Sequence, residues 1–312
     1  MNWWEVLTQQ TINGLTRGSV FALVALGYTM VYGIIELINF AHGDVFMLGL
    51  FISLSYFALL GMAKGLNAWQ LLTILPLVFL ATMLTTGLIN VAVDRLAYRP
   101  LRRAPRLAPL ITAIGVSFML ENISLLWNGP SPISYPDIFP SIDVLFEWFG
   151  VNSVILITTK DLLVVGVTAP LMIALNYFVT RTTWGKAMRA TAQDRETAQA
   201  MGINVEKTII LTFFIGGALA GAAGLIQGMY YNVGQWYIGY QAGLRAFTAA
   251  VLGGIGNMPG AALGGLMIGF LSAWSDQYIS ARWTNAIVFS ILILVLVFRP
   301  HGLLGERTPE KL

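Results

Sequence analysis

Long runs of apolar residues alternate with short polar stretches along most of this chain. A run of about 20 apolar residues is long enough to cross the hydrocarbon core of a bilayer as a helix. The pattern predicts spans near residues 14–38, 44–63, 69–93, 107–127, 161–180, 208–231, 260–279 and 284–298. These runs are continuous and lack the ten-residue alternation of a membrane β-barrel. We therefore predict an all-α integral membrane protein, a polytopic bundle of about eight transmembrane helices.

One further apolar segment, residues 244–257, is shorter than the others. At about 14 residues it is too short for an ordinary crossing, so we expect a re-entrant or strongly tilted element. The polar stretches between the spans are long enough only for loops and short helices. Residues 1–312 are therefore predicted to form a single transmembrane domain.

The composition supports a membrane protein and excludes several kinds of site. Hydrophobic residues make up 56% of the chain and charged residues only 11%, whereas soluble domains carry about 25% charged residues. The chain has no cysteine and only two histidines, His42 and His301, so we expect neither a disulfide nor a metal centre. The first dozen residues lack the basic region of a cleavable signal peptide, and none is predicted.

The basic residues predict the orientation of the bundle. Of the 18 basic residues, five lie in 94–106, five in 181–207 and three in 299–312. The positive-inside rule places these segments in the cytoplasm. The loop 128–160 carries three acidic residues against one lysine and is predicted to be external. Counting spans from these anchors places the N-terminus outside and the turn 36–44 on the cytoplasmic side.

A few polar side chains interrupt the apolar spans. Charged groups in a membrane are costly and usually mark a transport path. The candidates for lining such a path are Asn39, His42, Asp44, Glu121 and Arg245. The chain has no GxSxG motif, no symmetrical aspartate pair and no Walker A motif, so we expect no catalytic residues and no nucleotide site.

The stretch INFAHGDVFMLGLF, residues 38–51, allows two interpretations. In the first, residues 39–43 form a cytoplasmic turn and Asp44 is the N-cap of a helix over 45–63. In the second, the chain breaks deeper in the membrane and the helix N-terminus faces a path, where its free N–H groups attract a carboxylate. The lack of Lys and Arg over 36–44 favours the second interpretation, with Asn39 and His42 touching the substrate.

Arg245 is expected to have a carboxylate partner inside the bundle, because an unpaired guanidinium in a span is costly. Glu121 is the first candidate and Asp276 the second. The alternative is that the Arg245 side chain extends to the outer membrane interface.

Two predicted spans carry glycines at helical spacing. Small residues allow close backbone approach between helices in lipid. We predict that these glycines serve mainly for packing within the chain, with a dimer or pore seam as the alternative. The residues are Gly217, Gly221, Gly224, Gly228, Gly260, Gly264, Gly265 and Gly269.

The segment 181–207 predicts two short helices joined at a corner. Asp194 is a plausible N-cap for the second helix, and Gly202 follows that helix as its stop. Ala198 and Met201 are three residues apart, which places them on one apolar face. Such a face could dock into a partner's groove; the alternative is a solvated loop lying against its own bundle.

Several stretches together resemble the LivH-type permease subunits of branched-chain amino acid ABC importers. They are GYTMVYGI followed by INFAHGD, VDRLAYRPLRRA, WGKAMRATAQD with AMGIN, and GLRAFTAAVLGGIGNMPGAALGG. They stand in the family's order and spread over residues 16–265. Glu121 departs from the family, which commonly has a glutamine there, and Glu36 adds a second acidic group just before the INFAHGD stretch. These two acids either pair with Arg245 or tune the substrate.

The resemblance implies an ABC importer permease in the bacterial inner membrane. The expected partners are a LivM-like permease subunit, two cytoplasmic ATPases that use ATP, a periplasmic binding protein and the bilayer, but no nucleic acid. The chain itself would carry no cofactor. The implied ATPase-coupling residues are Gly185, Ala187, Arg189, Asp194, Ala198, Met201 and Gly202. The implied substrates are branched-chain or other neutral amino acids; the alternatives are urea or short amides, or a stand-alone secondary transporter.

Overall fold

The computed structural model describes residues 2–35, 39–62, 68–102, 104–105, 107–151 and 153–305. Within these ranges the chain is a helical bundle with two short strands, which confirms the predicted all-α fold. The elements are α1 (Trp3–Ile35), α2 (His42–Leu59), α3 (Ala68–Val93), α4 (Leu107–Asn128), β1 (Ile133–Ser134), α5 (Val144–Phe149), α6 (Thr159–Arg181), α7 (Thr183–Gln193), α8 (Arg195–Ala200), α9 (Val205–Tyr231), β2 (Val233–Gly234), α10 (Ile238–Gly253), α11 (Met258–Ser275) and α12 (Thr284–Phe298).

The long apolar helices coincide with the predicted spans. Seven helical segments of the described chain are long and apolar enough to cross a membrane, and α12 is a shorter apolar helix of 15 residues. These seven are α1, α2, α4, α6 and α9, α3 with the turns that follow it to Leu101, and α11 with the turn that follows it to Ser280. Helix α1 is longer than predicted, because its helix begins at Trp3 instead of near residue 14.

Residues 244–253 of the segment predicted as short or re-entrant form the C-terminal part of α10, and residues 254–257 follow that helix. Helix α10 has 16 residues and begins at Ile238, several residues before the apolar run. It ends where Gly254 adopts a φ of 107°, a left-handed backbone that favours glycine. The C-terminal segment then packs on this end, since the N–H groups of Leu303 and Leu304 donate to the carbonyls of Leu252 and Gly253.

Three helices, α1, α2 and α9, form the centre of the bundle. Their apolar windows are 83%, 72% and 78% buried, whereas those of α4 and α6 are 28% and 22% buried. The outer helices therefore expose leucine, isoleucine and phenylalanine side chains. Such an apolar outer surface suits a membrane, because exposed apolar side chains cost no free energy in lipid.

The four glycines of α9 lie at crossings with other elements of the chain. A Cβ on Gly217 would lie 2.7 Å from the Thr86 carbonyl of α3, and a Cβ on Gly224 would collide with the Phe46 carbonyl of α2. Gly221 similarly meets Thr86, and Gly228 meets the ring of Tyr135. Helix α9 is therefore held against α2 and α3 at backbone distance.

The four glycines of α11 lie against α10 and α1. Gly260 and Gly264 meet the α10 backbone at Gly253 and Ala249. On the other side of α11, a Cβ on Gly265 would lie 2.5 Å from the Ala22 nitrogen of α1, and one on Gly269 would collide with Gly18. Side chains larger than hydrogen would push these helices apart.

The loop 128–160, predicted to be external, is held by polar contacts. Strand β1 pairs antiparallel with β2, and the Lys160 ammonium donates to Asp137 Oδ1 at 2.7 Å. This hydrogen bond lowers the pKa of the Asp137 carboxyl. Gln9 of α1 binds both the N–H and the carbonyl of Leu156, at 2.7 and 3.1 Å. The loop is thus anchored to the N-terminal ends of α1 and α6.

We predict that Gly265→Ala destabilises the protein by about 1–3 kcal/mol, because the added methyl group overpacks the α1–α11 crossing. The matched control is Gly166→Ala in α6, where a Cβ would meet nothing within 4 Å. The control should leave stability unchanged or raise it by up to about 1 kcal/mol. Thermal melting of the detergent-solubilised protein measures both; equal melting temperatures for the two variants would contradict the packing argument.

Candidate functional site

The start of α2 lies inside the bundle. His42, the first residue of α2, lies beside Gly27 of α1, where a Cβ would be 2.6 Å from the His42 Cε1 atom. Gly27 lies eight residues before Ile35, the end of α1. At a rise of 1.5 Å per residue this separation is about 12 Å. Helix α2 therefore begins well inside the bundle and not level with the end of α1.

The residues of this break are buried. Asn39 is 4% exposed, and His42 and Asp44 are fully buried. This burial favours the second interpretation, a break inside the bundle, over a cytoplasmic turn at residues 39–43. The N-cap prediction is wrong: the helix begins at His42, Ala41 occupies the N-cap position, and no side chain caps the helix.

Asp44 does not cap α2 because its carboxylate binds a neighbouring helix. Its Oδ2 atom accepts a hydrogen bond from Ser117 Oγ of α4 at 2.5 Å. Glu121 lies one helical turn beyond Ser117, is also buried, and is close enough to Asp44 for their charges to interact. Two acidic side chains thus lie at the same buried crossing of α2 and α4.

Asn39 is held by the segment that follows α3. Tyr98, which follows α3, donates its hydroxyl to Asn39 Oδ1 at 2.6 Å. The Tyr98 ring packs beside Phe213 of α9, with ring centroids 5.9 Å apart. The break is therefore surrounded by α1, α3, α4 and α9.

Several polar atoms of the break have no well-formed hydrogen bond to the described part of the chain. They are the two ring nitrogens of His42, Nδ2 of Asn39 and Oδ1 of Asp44. The His42 ring instead packs edge-on against Tyr28, with centroids 4.7 Å apart. A buried polar group without a partner costs about 1–3 kcal/mol and is uncommon in native proteins. Their concentration here distinguishes the break from an ordinary packed core.

The first turn of α10 closes the break from another side. A Cβ on Gly43 would lie 2.6 Å from the Gly243 Cα atom, and one on Gly239 would lie 2.5 Å from Asp44 Oδ1. The N-terminal turns of α2 and α10 therefore meet at backbone distance. Separation of these two turns would open the buried polar cluster, which we define as Asn39, His42 and Asp44.

Arg245 has a different partner from the one predicted. Its Nε and Nη2 atoms donate to Asn285 Oδ1 of α12 at 3.2 and 2.8 Å, and its guanidinium lies 5.9 Å from the centre of the Phe21 ring. Asp276 is bound by Arg17 of α1, at 2.5 Å. Neither Glu121 nor Asp276 forms an ion pair with Arg245 in the described residues, although Asp276 is near enough for its charge to act on Arg245.

Of the other two acids considered for Arg245, only Glu121 lies in the described residues. Glu121 lies on α4 one helical turn after Ser117, the residue that binds Asp44 of α2. Glu36 lies outside the described residues. Arg245 is half-buried, so its charge is stabilised by an amide oxygen, an aromatic face and the remaining solvent.

The segment 181–207 folds as two short helices, α7 and α8. Asp194 is the N-cap of α8, with Oδ1 accepting from the N–H groups of Glu196 and Thr197, and Gly202 follows α8 with a φ of 85°. Gly185 is buried where a Cβ would collide with the Val179 carbonyl of α6. The same carbonyl accepts from Arg189, and Ala187 is half-buried. The corner is thus fastened to the end of α6.

The predicted apolar face of α8 does not form. Ala198 is 3% exposed, whereas Met201 is 79% exposed. The three-residue spacing does not place Ala198 and Met201 on one helix face, because α8 ends at Ala200 and Met201 is its C-cap. Ala198 packs inward, and Met201 is the exposed apolar side chain at this corner.

A further contact links α8 to the buried break. Arg195 Nη2 donates to the Ile34 carbonyl at the end of α1, at 2.8 Å. The chain leads from there directly to Asn39. Sequence reasoning missed Arg195, Tyr98 and Ser117 as neighbours of the site. The first two lie within or beside the motifs that carry the family resemblance, but Ser117 has no signal in the sequence.

Comparison with known proteins agrees with this architecture. The family model described as branched-chain amino acid transport system / permease component matches residues 10–297. The high-affinity branched-chain amino acid transport system permease protein BraD of Pseudomonas aeruginosa is 44% identical over 97% of both chains. The corresponding LivH protein of Escherichia coli is 43% identical over 97% of both chains.

More distant similarity extends to another class of importer. The ribose import permease protein RbsC of Escherichia coli is 26% identical over 62% of this chain and 60% of its own. No solved structure matches the chain. A family model that spans nearly the whole chain, together with near-full-length relatives, shows that this multi-pass membrane protein belongs to the family of branched-chain amino acid transport system permease components.

Proposed function

We propose that this chain is the inner-membrane permease subunit of an ABC importer for branched-chain amino acids. The observation that carries this proposal is its near-full-length identity of 44% to BraD, a protein named for that transport system. The partners that follow are a second, LivM-like permease subunit, two cytoplasmic ATPases and a periplasmic binding protein. ATP would be used by the ATPases, and this chain would act without a cofactor or catalysis of its own.

The proposed docking site for an ATPase is the corner formed by α7 and α8. This corner is rigid, because Asp194 caps α8 and Gly185 fits closely against α6. Met201 presents an exposed apolar side chain there, surrounded by the exposed polar residues Glu196 and Gln199. An apolar side chain in a polar rim is the usual form of an anchor in a protein interface.

The proposed transmission from this corner runs through Arg195. Its guanidinium binds the Ile34 carbonyl, so a displacement of α8 acts on the end of α1. Ile34 precedes Asn39, the first residue of the buried polar cluster, by five residues in the sequence. ATPase movement could in this way separate the first turns of α2 and α10, which are in contact at Gly43 and Gly243.

The proposed role of the buried polar cluster is a gate on the translocation path. Its unused polar atoms would gain partners when the crossing opens, because water or the charged ends of an amino acid would then reach them. Arg245, half-buried near the external side, is the proposed cationic contact for a carboxylate entering from the binding protein. Glu121 is proposed to tune the charge beside Asp44.

The assembled complex should accumulate labelled leucine, isoleucine or valine in proteoliposomes only with ATP and the binding protein. The chain purified alone should not transport, because the driving force would come from separate ATPases. Uptake by the isolated chain under a proton or sodium gradient would contradict the proposal and support a secondary transporter.

His42→Ala should lower uptake per assembled complex by about ten-fold, since a lost buried polar contact is worth about 1–3 kcal/mol. Met47→Ala is the matched control, because Met47 is also fully buried on α2 and its truncation leaves a similar cavity. The control should reduce membrane abundance and uptake in parallel. Normal uptake per complex in His42→Ala would rule out its role in the gate.

Met201→Asp should leave the permease folded but reduce ATPase stimulation and uptake together, because it places a charge in the proposed interface. Ala198→Asp should instead reduce membrane abundance, since Ala198 is 3% exposed. Glu196→Gln, an exposed change beside Met201, is the control and should have little effect. Normal ATPase stimulation together with normal uptake in Met201→Asp would exclude this docking site.

A further inference from the structure

A groove on the surface of the bundle lies apart from the buried polar cluster. It lies between α3, α6, α7 and α9 and has a volume of about 730 Å³. Its walls are mostly apolar and include Leu88 and Val91 on one side and Ile210 and Phe214 on the other. The proposed transport path does not use this groove.

Two basic residues lie at one end of the groove. Arg95 follows α3, Lys207 lies in the first turn of α9, and both line the groove and are exposed. Because α3 and α9 run in opposite directions, the end of one and the start of the other bring both cations to the cytoplasmic side. Trp184, 46% exposed, lines the groove from α7.

These two cations are not neutralised by the described residues around them. The nearby acids are occupied elsewhere: Asp94 binds Arg102 at 2.7 Å, and Glu206 binds Arg99 and Arg102 at 3.0 and 2.9 Å. Neither acid lines the groove. Arg95 and Lys207 therefore leave two positive charges facing a common space.

The groove changes from cationic to apolar along the direction of the membrane normal. Leu88 precedes Arg95, and Phe214 follows Lys207, each by seven residues, which is about 10 Å along a helix. A phospholipid has the same profile, with a phosphate at the interface and acyl chains below it. Trp side chains favour the headgroup level, and the cytoplasmic leaflet carries anionic lipids.

We propose that this groove binds an anionic phospholipid of the inner leaflet. Arg95 and Lys207 hold its phosphate, and the acyl chains lie along Val91, Ile210 and Phe214. The bound lipid bridges α3 and α9 to the start of α7. It therefore stabilises the position of the α7–α8 corner against the bundle, whichever substrate the protein carries.

The test is native mass spectrometry of the full chain, alone and in its assembled complex, after mixing with phosphatidylglycerol or phosphatidylcholine. The double variant R95Q/K207Q should retain at least about ten-fold less phosphatidylglycerol, since each basic residue near an anionic headgroup contributes roughly a five-fold gain. Phosphatidylcholine binding should not change. The control K186Q/R299Q removes the same charge from exposed cytoplasmic positions outside the groove and should behave as the unmodified protein.

A second variant tests the apolar part of the groove. Val91→Phe fills it while both cations remain, and it should also lower phosphatidylglycerol retention without a change in melting temperature. Equal loss in R95Q/K207Q and K186Q/R299Q would show general surface attraction and overturn the proposal. Displacement by inorganic phosphate alone would indicate a free phosphate site and overturn it too. If retention depends on Arg95 and Lys207 in the isolated chain but not in the complex, a protein partner covers the groove and the proposal fails.

Discussion

Close backbone contact at glycine-lined crossings is the constraint on which this structure depends. Lipid supplies no hydrophobic force between helices, so the helices associate through close packing and interhelical hydrogen bonds. Gly265 and Gly269 allow α11 to lie directly on α1, and Gly224 allows α9 to lie on α2. The central helices are thereby held at distances that leave little space for side chains. Each polar residue between these helices therefore needs its own space or hydrogen-bond partner.

The deep start of α2 follows from this packing. His42 can lie beside α1 because Gly27 has no side chain, and Gly43 can meet α10 because Gly239 and Gly243 have none. The polar cluster is therefore enclosed partly by glycine backbone and partly by the rings of Tyr28 and Tyr98. The first turns of α2 and α10 meet there through backbone van der Waals contact, so a small displacement of one turn would separate them. Arg195 supplies a direct contact between α8 and the end of α1.

Charge is handled differently at different depths of the bundle. Beside the end of α3, Asp94 and Glu206 neutralise Arg99 and Arg102, whereas Arg95 and Lys207 face an open groove. At the end of α11, Asp276 is bound by Arg17, and Arg245 contacts an amide oxygen and an aromatic ring. In both places some of the described cations form an ion pair with a carboxylate and neighbouring cations do not. The ion pairs hold helices together, and the remaining cations are the ones proposed above to contact an anion.

The sequence by itself determined the membrane class, the spans and the helical corner at α7 and α8. These features depend on local properties: the length of an apolar run, the capping capacity of Asp194, and the left-handed conformation that Gly202 accepts. The tertiary structure decided the partners. Asp44 binds Ser117 and not its own helix N-terminus, Arg245 meets Asn285 and not a carboxylate, and Ala198 packs inward while Met201 is exposed. Each of these depends on which helix lies opposite, and that is set by the crossings of distant glycines, which no local pattern of residues specifies.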